Sequence, residues 1–388
     1  MESSPKDNVV MKLGSSNCQV GFAGVDDPLV SFPSKIGFLY ASFFSPNFTP
    51  NNSKFYIAHE IESNFGPLSL FPIIKNGLVQ NWDYYEKLIN YIYSKVLNIS
   101  PENTNTLLVE SPFIPNKEFE KKAEILFEKF NINGICYTDK GVCTLYDKGQ
   151  YNGIVHGSGE NISFFYPVFD GFPLMKGMAI ENYAGGDVSC YLYTLLQQKI
   201  CISGFHKSGI MEIIRDIKEK CCYVPLNYKD ELNKVEKIEF ELPDGNIISL
   251  RQERIQCCEC LFMPGMFGNL KIGFGLKLFD SINIMEFTIK KNLLSNILLS
   301  GGNALLKGYT DRIFDEIKNY VPIGYKRNVR VLASAENSSW VGGSILGSLS
   351  TFEKDYLIKK EEYLEYGYEI VNKRRNDIKI IDECKSFY

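Results

Sequence analysis

The chain has 388 residues, which at about 150 residues per domain is enough for two or three domains with large cores. Apolar residues make up 45% and charged residues 23%, as in ordinary globular proteins. The 42 Lys and Arg residues against 46 Asp and Glu residues give a net charge of −4, which argues against direct nucleic-acid binding. Since no apolar run reaches the roughly 18 residues of a membrane helix and the N-terminus lacks a secretory pattern, we expect neither membrane insertion nor secretion.

Strand-like and helical segments alternate along most of the chain, which favours an α/β fold. The segment Phe38–Lys54 is rich in aromatic, Asn and Pro residues and is expected to be an exposed excursion. A helix is predicted over Asp83–Leu97, with Asp83 as its cap. The apolar run Leu107–Glu110 predicts a strand, and a helix should begin near Asn116.

The cysteine pattern leaves two interpretations of the middle of the chain. Eleven cysteines without a secretory signal predict reduced thiols. Cys257, Cys258 and Cys260 cluster, and Cys221–Cys222 form a pair, so a zinc site is the alternative. Zinc modules usually combine two well-separated Cys/His pairs, and the three histidines lie far away in sequence. Buried structural thiols without a metal are therefore expected.

The last third of the chain begins with a buried strand at Asn296–Ser300, which runs into Gly301-Gly302. A helix should follow from about Thr310. The tail after Val371 is basic at Lys373-Arg374-Arg375, which predicts a solvated tail, with a partner-docking segment as the alternative.

Two Gly-Ser turns occupy corresponding places about 140 residues apart. Gly14-Ser15-Ser16 and Gly157-Ser158-Gly159 each follow an apolar strand and precede another. Glycine in such turns lets backbone N–H groups approach an anion closely. One such turn is weak evidence, but the pair predicts a duplicated domain that holds a phosphate between its copies.

Two further segments are candidates for a ligand site. Arg215, Lys218 and Glu219 share one face of a predicted helix, where the alternative is a solvated Arg–Glu pair. Leu299–Gly302 is a strand-to-glycine junction against which a ligand could lie.

Taken together, these segments resemble actin and the actin-related proteins. The similar strings are, in chain order, GSSNCQVGFAGVDDP, PIIKNGLVQNWD, EIIRDIKEKCCYV, ELPDG, LLSGGNALLKGYTDR and SSWVGGSILGSLSTF. They extend from about Val9 to Lys373, and ELPDG and the last string separate this family from sugar kinases and heat-shock ATPases. The resemblance implies an α/β actin-like ATPase fold, in which two duplicated halves flank a cleft for ATP and a divalent cation.

The resemblance also implies a division of the chain. It gives an outer core of residues 1–34, 72–147 and 338–388 with a small insertion at 35–71, and an inner core of 148–183 and 270–337 with an insertion at 184–269. The nucleotide-binding residues that it implies are Gly14, Ser15, Ser16, Ser158, Gly159 and Glu160 in the hairpins, and Gly185, Arg215, Lys218, Glu219, Gly301, Gly302 and Leu306 around the nucleoside.

The departures from the family pattern fall where the chemistry would occur. Lys12 and Gly157 replace the two aspartates that help to hold the hydrated cation. Gln19 replaces a phosphate-binding lysine, Lys140 replaces the glutamine that positions water, and Phe164 replaces a histidine.

These replacements change the expected chemistry. Mg²⁺ requires oxygen ligands, usually through its waters, and a lysine at 12 repels it. Without metal and water orientation, hydrolysis should be very slow or absent, so no catalytic residue and no metal ligand are assigned. Lys12 could pair with phosphate oxygens, which predicts weak, metal-independent binding of ATP or ADP. The alternative is a closed, empty cleft.

The filament contacts of the family also differ here. Met263–Gly273 remains apolar like the family's plug, but Phe38–Lys54 bears little resemblance to the subunit-contacting loop, and Asp355 places a charge in an apolar groove. The rest of that groove is similar at Tyr146, Gly149, Gly171, Leu346, Leu349 and Thr351. Because both faces of a filament contact must match, a self-polymer is disfavoured.

The sequence therefore predicts a structural or scaffolding subunit in a heteromeric assembly of actin-like or actin-binding proteins, in the cytoplasm and on the cytoskeleton. The alternatives are an active ATP-dependent switch and a nuclear chromatin-remodelling subunit.

Overall fold

The computed structural model describes residues 7–40, 54–200, 205–268 and 273–375. Its strands are β1 (Asp7–Leu13), β2 (Asn17–Phe22), β3 (Val30–Pro33), β4 (Lys35–Leu39), β5 (Phe55–Ile57), β6 (Leu68–Pro72), β7 (Ile74–Lys75), β8 (Leu78–Val79), β9 (Thr104–Glu110), β10 (Gly134–Asp139), β11 (Gly153–Ser158), β12 (Ser163–Phe169), β13 (Phe172–Pro173), β14 (Ala179–Glu181), β15 (Ile238–Glu241), β16 (Ile247–Leu250), β17 (Ile297–Ser300), β18 (Val331–Ala333) and β19 (Ile358–Lys359).

The helices are α1 (His59–Glu62), α2 (Trp82–Tyr91), α3 (Asn116–Glu124), α4 (Lys140–Asp147), α5 (Gly185–Leu196), α6 (Lys207–Cys221), α7 (Tyr228–Glu231), α8 (Glu253–Glu259), α9 (Phe274–Asn283), α10 (Phe287–Leu294), α11 (Tyr309–Tyr320), α12 (Ser338–Gly347), α13 (Phe352–Asp355), α14 (Lys360–Tyr366) and α15 (368–375). Within the described ranges, none of them is long and apolar enough to cross a membrane.

Two mixed sheets with the same topology form the centre of the molecule. The first has the order β19-β10-β9-β1-β2-β3, and the second has the order β18-β17-β11-β12-β13, with β14 also paired to β12. In the first, β1 and β2 form an antiparallel hairpin while β1, β9 and β10 are parallel. In the second, β11 and β12 form the hairpin while β11, β17 and β18 are parallel. The predicted α/β fold with two duplicated halves is therefore confirmed.

The sequence pattern explains the central strands and their neighbouring helices. Every residue of β9 is buried, as expected for a parallel strand covered on both faces. Strands at Leu107–Glu110 and Asn296–Ser300 and a helix from Asn116 were predicted and occur, with small differences in their bounds. The predicted cap Asp83 is wrong, because the Asn81 side chain accepts the hydrogen bond from Tyr84 N at 3.2 Å and the helix begins one residue earlier.

Helices α4 and α12 are the two crossovers between the halves, and they pack against each other. α4 joins β10 to β11, and α12 lies between β18 and β19. A Cβ atom on Gly342 would lie only 1.8 Å from the carbonyl oxygen of Cys143, so this crossing requires glycine. The fully buried Trp340 of α12 donates from Nε1 to the Val10 oxygen at 3.0 Å.

Two smaller units accompany the two central sheets. One is a three-stranded sheet with the order β5-β4-β6, and the other contains α5, α6, α8 and the β15–β16 hairpin. The prediction of an exposed excursion at Phe38–Lys54 is wrong at its start, because Phe38 is buried in β4, where alternating residues pack on the core. Residues 41–53 of that segment lie outside the described residues.

The C-terminal residues before 376 are docked rather than solvated. Arg374 forms an ion pair with Glu362 at 3.5 Å. The half-buried Arg375 hydrogen-bonds Asn116 Oδ1 at 2.5 Å, and its guanidinium lies 3.9 Å from the centre of the Phe119 ring. The predicted solvated tail is therefore wrong for Arg374 and Arg375, whereas Lys373 is exposed as predicted, and the residues after 375 lie outside the described part of the chain.

The cysteine cluster lies in the core of the second half. Cys222, Cys257, Cys258 and Cys260 are buried, with the Sγ atoms of Cys257 and Cys258 3.8 Å apart. In the described part of the chain, no group of three or more His, Cys, Asp or Glu side chains could hold a metal ion. These cysteines pack in the hydrophobic core cluster of the second half.

Candidate functional site

A cavity of about 170 Å³ lies between the carboxyl ends of the parallel strands of the two sheets. It brings together most of the residues singled out from the sequence, which are Lys12, Gly14, Ser15, Ser16, Lys140, Gly157, Ser158, Gly159, Glu160, Lys218, Glu219, Gly301, Gly302 and Leu306. Arg215 lines a separate, neighbouring pocket. Gly185 does not line the cavity, but its backbone oxygen accepts a hydrogen bond from Lys218 Nζ.

The second hairpin and the glycine loop are fastened to each other. Asn303 Nδ2 donates to Ser158 Oγ at 2.8 Å and to the Gly159 oxygen at 3.0 Å. Gly301 has φ +89°, and a Cβ there would lie 2.3 Å from the Ser158 oxygen, so only glycine allows this contact. The sequence analysis did not single out Asn303 as a site residue. Its position directly after Gly301-Gly302 could have indicated this role.

Lys12 lines the cavity, where two hydrogen bonds hold its side chain. Its Nζ donates to Gln19 Oε1 at 3.0 Å and to the Glu336 oxygen at 3.1 Å. Burial, and secondarily the nearby ammonium of Lys140, lower the pKa of Lys12 to about 7. The amine is therefore poised between its charged and neutral forms near physiological pH.

Lys140 lies on another wall of the same cavity, at the start of α4. Its Nζ donates to Ser111 Oγ at 2.9 Å, and its pKa is lowered chiefly by burial. A buried ion pair between Lys122 and Glu110, 2.6 Å long, lies nearby; its carboxylate raises the pKa of Lys140 and its ammonium lowers it, so the pair adds no net charge near the cleft. An ammonium in this position cannot orient a water molecule as a neutral amide does.

Phe164 fills the space beside Gly157. The two residues are direct cross-strand partners in the β11–β12 hairpin, and a Cβ on Gly157 would lie 2.2 Å from the Phe164 ring. A carboxylate at position 157 would therefore not fit unless the ring moved. The sequence analysis identified the replacements at Gly157 and Phe164 separately. It did not predict that the Phe164 ring occupies the space that a side chain at position 157 would need.

Helix α6 does not show the solvated Arg–Glu pair that was the alternative interpretation of this segment. Arg215 bonds Ser16 Oγ at 3.0 Å and pairs with Glu212 at 2.7 Å, rather than with Glu219. Lys218 is only 4% exposed, and its Nζ donates to the Gly185 oxygen at 3.0 Å. This helix is thus tied to both the first hairpin and the start of α5.

The cavity does not fit a hydrated magnesium ion. Lys12 and Lys140 face it, and Phe164 occupies the space beside Gly157. Its volume of about 170 Å³ is also below the roughly 300 Å³ at which ligand pockets usually begin. The hairpin turns and Lys218 supply donors of the kind that an oxyanion requires.

Comparison with known protein families agrees with this architecture. The family model described as Actin matches residues 3–376, nearly the whole chain. Both sheets, both hairpins and the cleft between them lie within that match. The chain belongs to the actin family.

Proposed function

We propose that this actin-family protein is a structural or scaffolding subunit of a multi-protein assembly and that its cleft does not support effective ATP hydrolysis. The observation that carries the proposal is the pair of side chains at the expected cation position. The Lys12 ammonium and the Phe164 ring stand where the family resemblance implies two aspartates around a hydrated cation.

The energetic argument follows from charge. A bound metal contributes several kcal/mol to the stabilisation of a phosphoryl transition state, and positioned water contributes further. Below pH 7, where Lys12 is charged, it disfavours a divalent cation by repulsion, and at any pH neither Lys12 nor Lys140 supplies the oxygen ligands that Mg²⁺ prefers. Nucleotide that enters would therefore bind weakly and without metal, held by Lys12 and Lys218.

The assembly is proposed to be heteromeric and cytoplasmic, with actin-like or actin-binding partners. Asp355 and the dissimilar segment 38–54 disfavour a filament made of this chain alone. The nuclear alternative has less support, because two residues of the basic cluster, Arg374 and Arg375, are engaged within the fold. Sedimentation of the pure protein into long filaments would refute this part of the proposal.

Phosphate release in the presence of Mg·ATP tests the cleft. The native protein should release no phosphate above the spontaneous rate. The combined change Lys12→Asp, Gly157→Asp and Phe164→Ala should restore Mg²⁺-dependent nucleotide binding, because it returns both carboxylates and frees the space for the second.

The matched control is Lys12→Asp with Gly157→Asp but with Phe164 retained, which should bind less well because the ring obstructs the new carboxylate. Hydrolysis by the native protein at the rate of actin in the same assay would contradict the proposal and favour the active ATPase switch.

A further inference from the structure

Helix α6 and the edge of the three-stranded sheet meet directly across the mouth of the cleft. Among the described residues β6 is an edge strand of its sheet, with β4 as its one neighbouring strand. Ser208, in the first turn of α6, accepts a hydrogen bond from Leu70 N at 3.0 Å and donates one to the Leu68 oxygen at 3.1 Å. His206 N donates to the Gly66 oxygen at 2.9 Å. The start of α6 thus takes the place of a further strand along this edge.

Two glycines, one on each side, allow the close approach. A Cβ on Gly66 would lie 2.9 Å from the Phe205 ring, and a Cβ on Gly209 would lie 2.8 Å from the backbone oxygen of Phe65. Side-chain carbons do not approach backbone oxygens so closely. The rings of Phe65 and Phe205 also meet edge to face, with their centres 5.8 Å apart. The two surfaces are therefore complementary in shape.

An ion-pair network continues the contact toward the cavity. Lys35 in β4 pairs with Glu212 of α6, and Glu212 also holds Arg215. The side chains of Lys35 and Glu212 are only 17% and 13% exposed, so water and salt screen this pair less than a surface pair. Arg215 in turn bonds Ser16 of the first hairpin.

We propose that this cross-cleft clamp, formed by Gly66–Leu70 and Lys35 on one side and Phe205–Glu212 on the other, holds the cleft closed without a nucleotide. The two hydrogen bonds of Ser208 and the ion pair of Lys35 with Glu212 join the two sides directly, so these protein contacts themselves favour the closed cleft. The protein would then present one fixed surface to its partners, whether or not nucleotide is present. The inference does not depend on the proposed scaffolding role, since an active enzyme could carry the same clamp.

Hydrogen exchange of the full-length protein, freed of nucleotide by EDTA and apyrase, tests the clamp. The amides of Leu70 and His206 should be protected from exchange. Gly209→Ala should speed their exchange by about tenfold, because the added methyl separates the two surfaces. The radius of gyration from small-angle scattering should increase in the same variant.

Alanine is more favourable than glycine inside a helix. A loss of protection in Gly209→Ala would therefore be due to the disrupted contact between α6 and β6 and not to a less stable α6. Gly324→Ala is the matched control, since a Cβ there meets no atom within 4 Å. Ser208→Ala removes the two side-chain bonds without adding bulk, and Thr194→Ala, on the neighbouring helix α5, is its control.

Rapid exchange of both amides in the unmodified, nucleotide-free protein would overturn the proposal. So would unchanged protection and an unchanged radius in folded Gly209→Ala. If that variant does not fold, Ser208→Ala decides the question, and native-like protection of the Leu70 region in it would count against the clamp.

Discussion

Lys12 should make the cleft sensitive to pH. With a pKa of about 7, its amine is charged below pH 7 and neutral above. The affinity for sulfate, whose charge does not change between pH 6 and pH 8, should therefore fall about tenfold over this range when measured by calorimetry in EDTA. Lys12→Met should bind weakly at both pH values, whereas Lys148→Met, which changes an exposed lysine, should keep the native profile. An affinity that does not vary with pH would show that the Lys12 charge plays no part.

His156 should make the fold sensitive to acid. The buried ring donates from Nδ1 to the Phe164 oxygen at 3.2 Å, and its Nε2 accepts from the Tyr309 hydroxyl at 2.7 Å. Burial lowers the pKa of His156 from 6.5 to about 4, so protonation favours the unfolded chain. The stability that the neutral His156 ring contributes is complete above pH 6.5. It is lost as the pH falls from 6.5 through 4, and the total loss is about 3 kcal/mol.

Urea unfolding at pH 7.5 and pH 5 measures this effect. His156→Gln should be less stable at pH 7.5 but should lose less stability on acidification than the native protein. His59→Gln, at a half-exposed histidine, should follow the native pH dependence. An equal loss of stability with acid in His156→Gln and the native chain would assign the acid sensitivity to other groups.

The sequence was enough to identify which residues are replaced in the site, but it predicts only part of how their side chains are arranged. Counting back from the hairpin turn pairs Gly157 with Phe164, and this register could have been predicted. The pKa of Lys12 could not, because it depends on burial and on Lys140, which is 128 positions away in the chain.

Among the elements, the crossing of α4 and α12 is the tightest contact between remote helices. Since a Cβ on Gly342 would lie 1.8 Å from the Cys143 oxygen, Gly342→Ala should destabilise the protein by about 2 kcal/mol or more. Thermal unfolding compared with Gly265→Ala, where a Cβ meets nothing within 4 Å, measures the difference. Native stability in Gly342→Ala would mean that the two crossover helices can separate freely.

Element type was predicted well where local pattern decides it, as in β9, α3 and β17. The predictions of exposed segments were wrong where a contact with a distant part of the chain buries the residue. Arg375 is held by Asn116 and Phe119, about 260 positions earlier, so nothing near the C-terminus indicates that the tail is docked. The burial of Phe38 likewise follows from its position in the β4 ladder with β5 and β6.

For the whole molecule, the two Gly-Ser turns in corresponding positions were enough to predict the duplication, because each half repeats the same hairpin and parallel neighbours. The contact between β6 and α6 could not be predicted, since it joins the Ser208 hydroxyl to backbone groups about 140 positions away in the chain. The lining residues of the candidate cavity were thus predictable, but its volume of about 170 Å³ was not.

The most direct measurement of the central claim is a calorimetric titration of ATP into the purified protein, once with excess Mg²⁺ and once with EDTA. The lysines and the Phe164 ring predict weak or undetectable binding that Mg²⁺ does not improve. Tight binding that appears only when Mg²⁺ is added would contradict this account of the cleft.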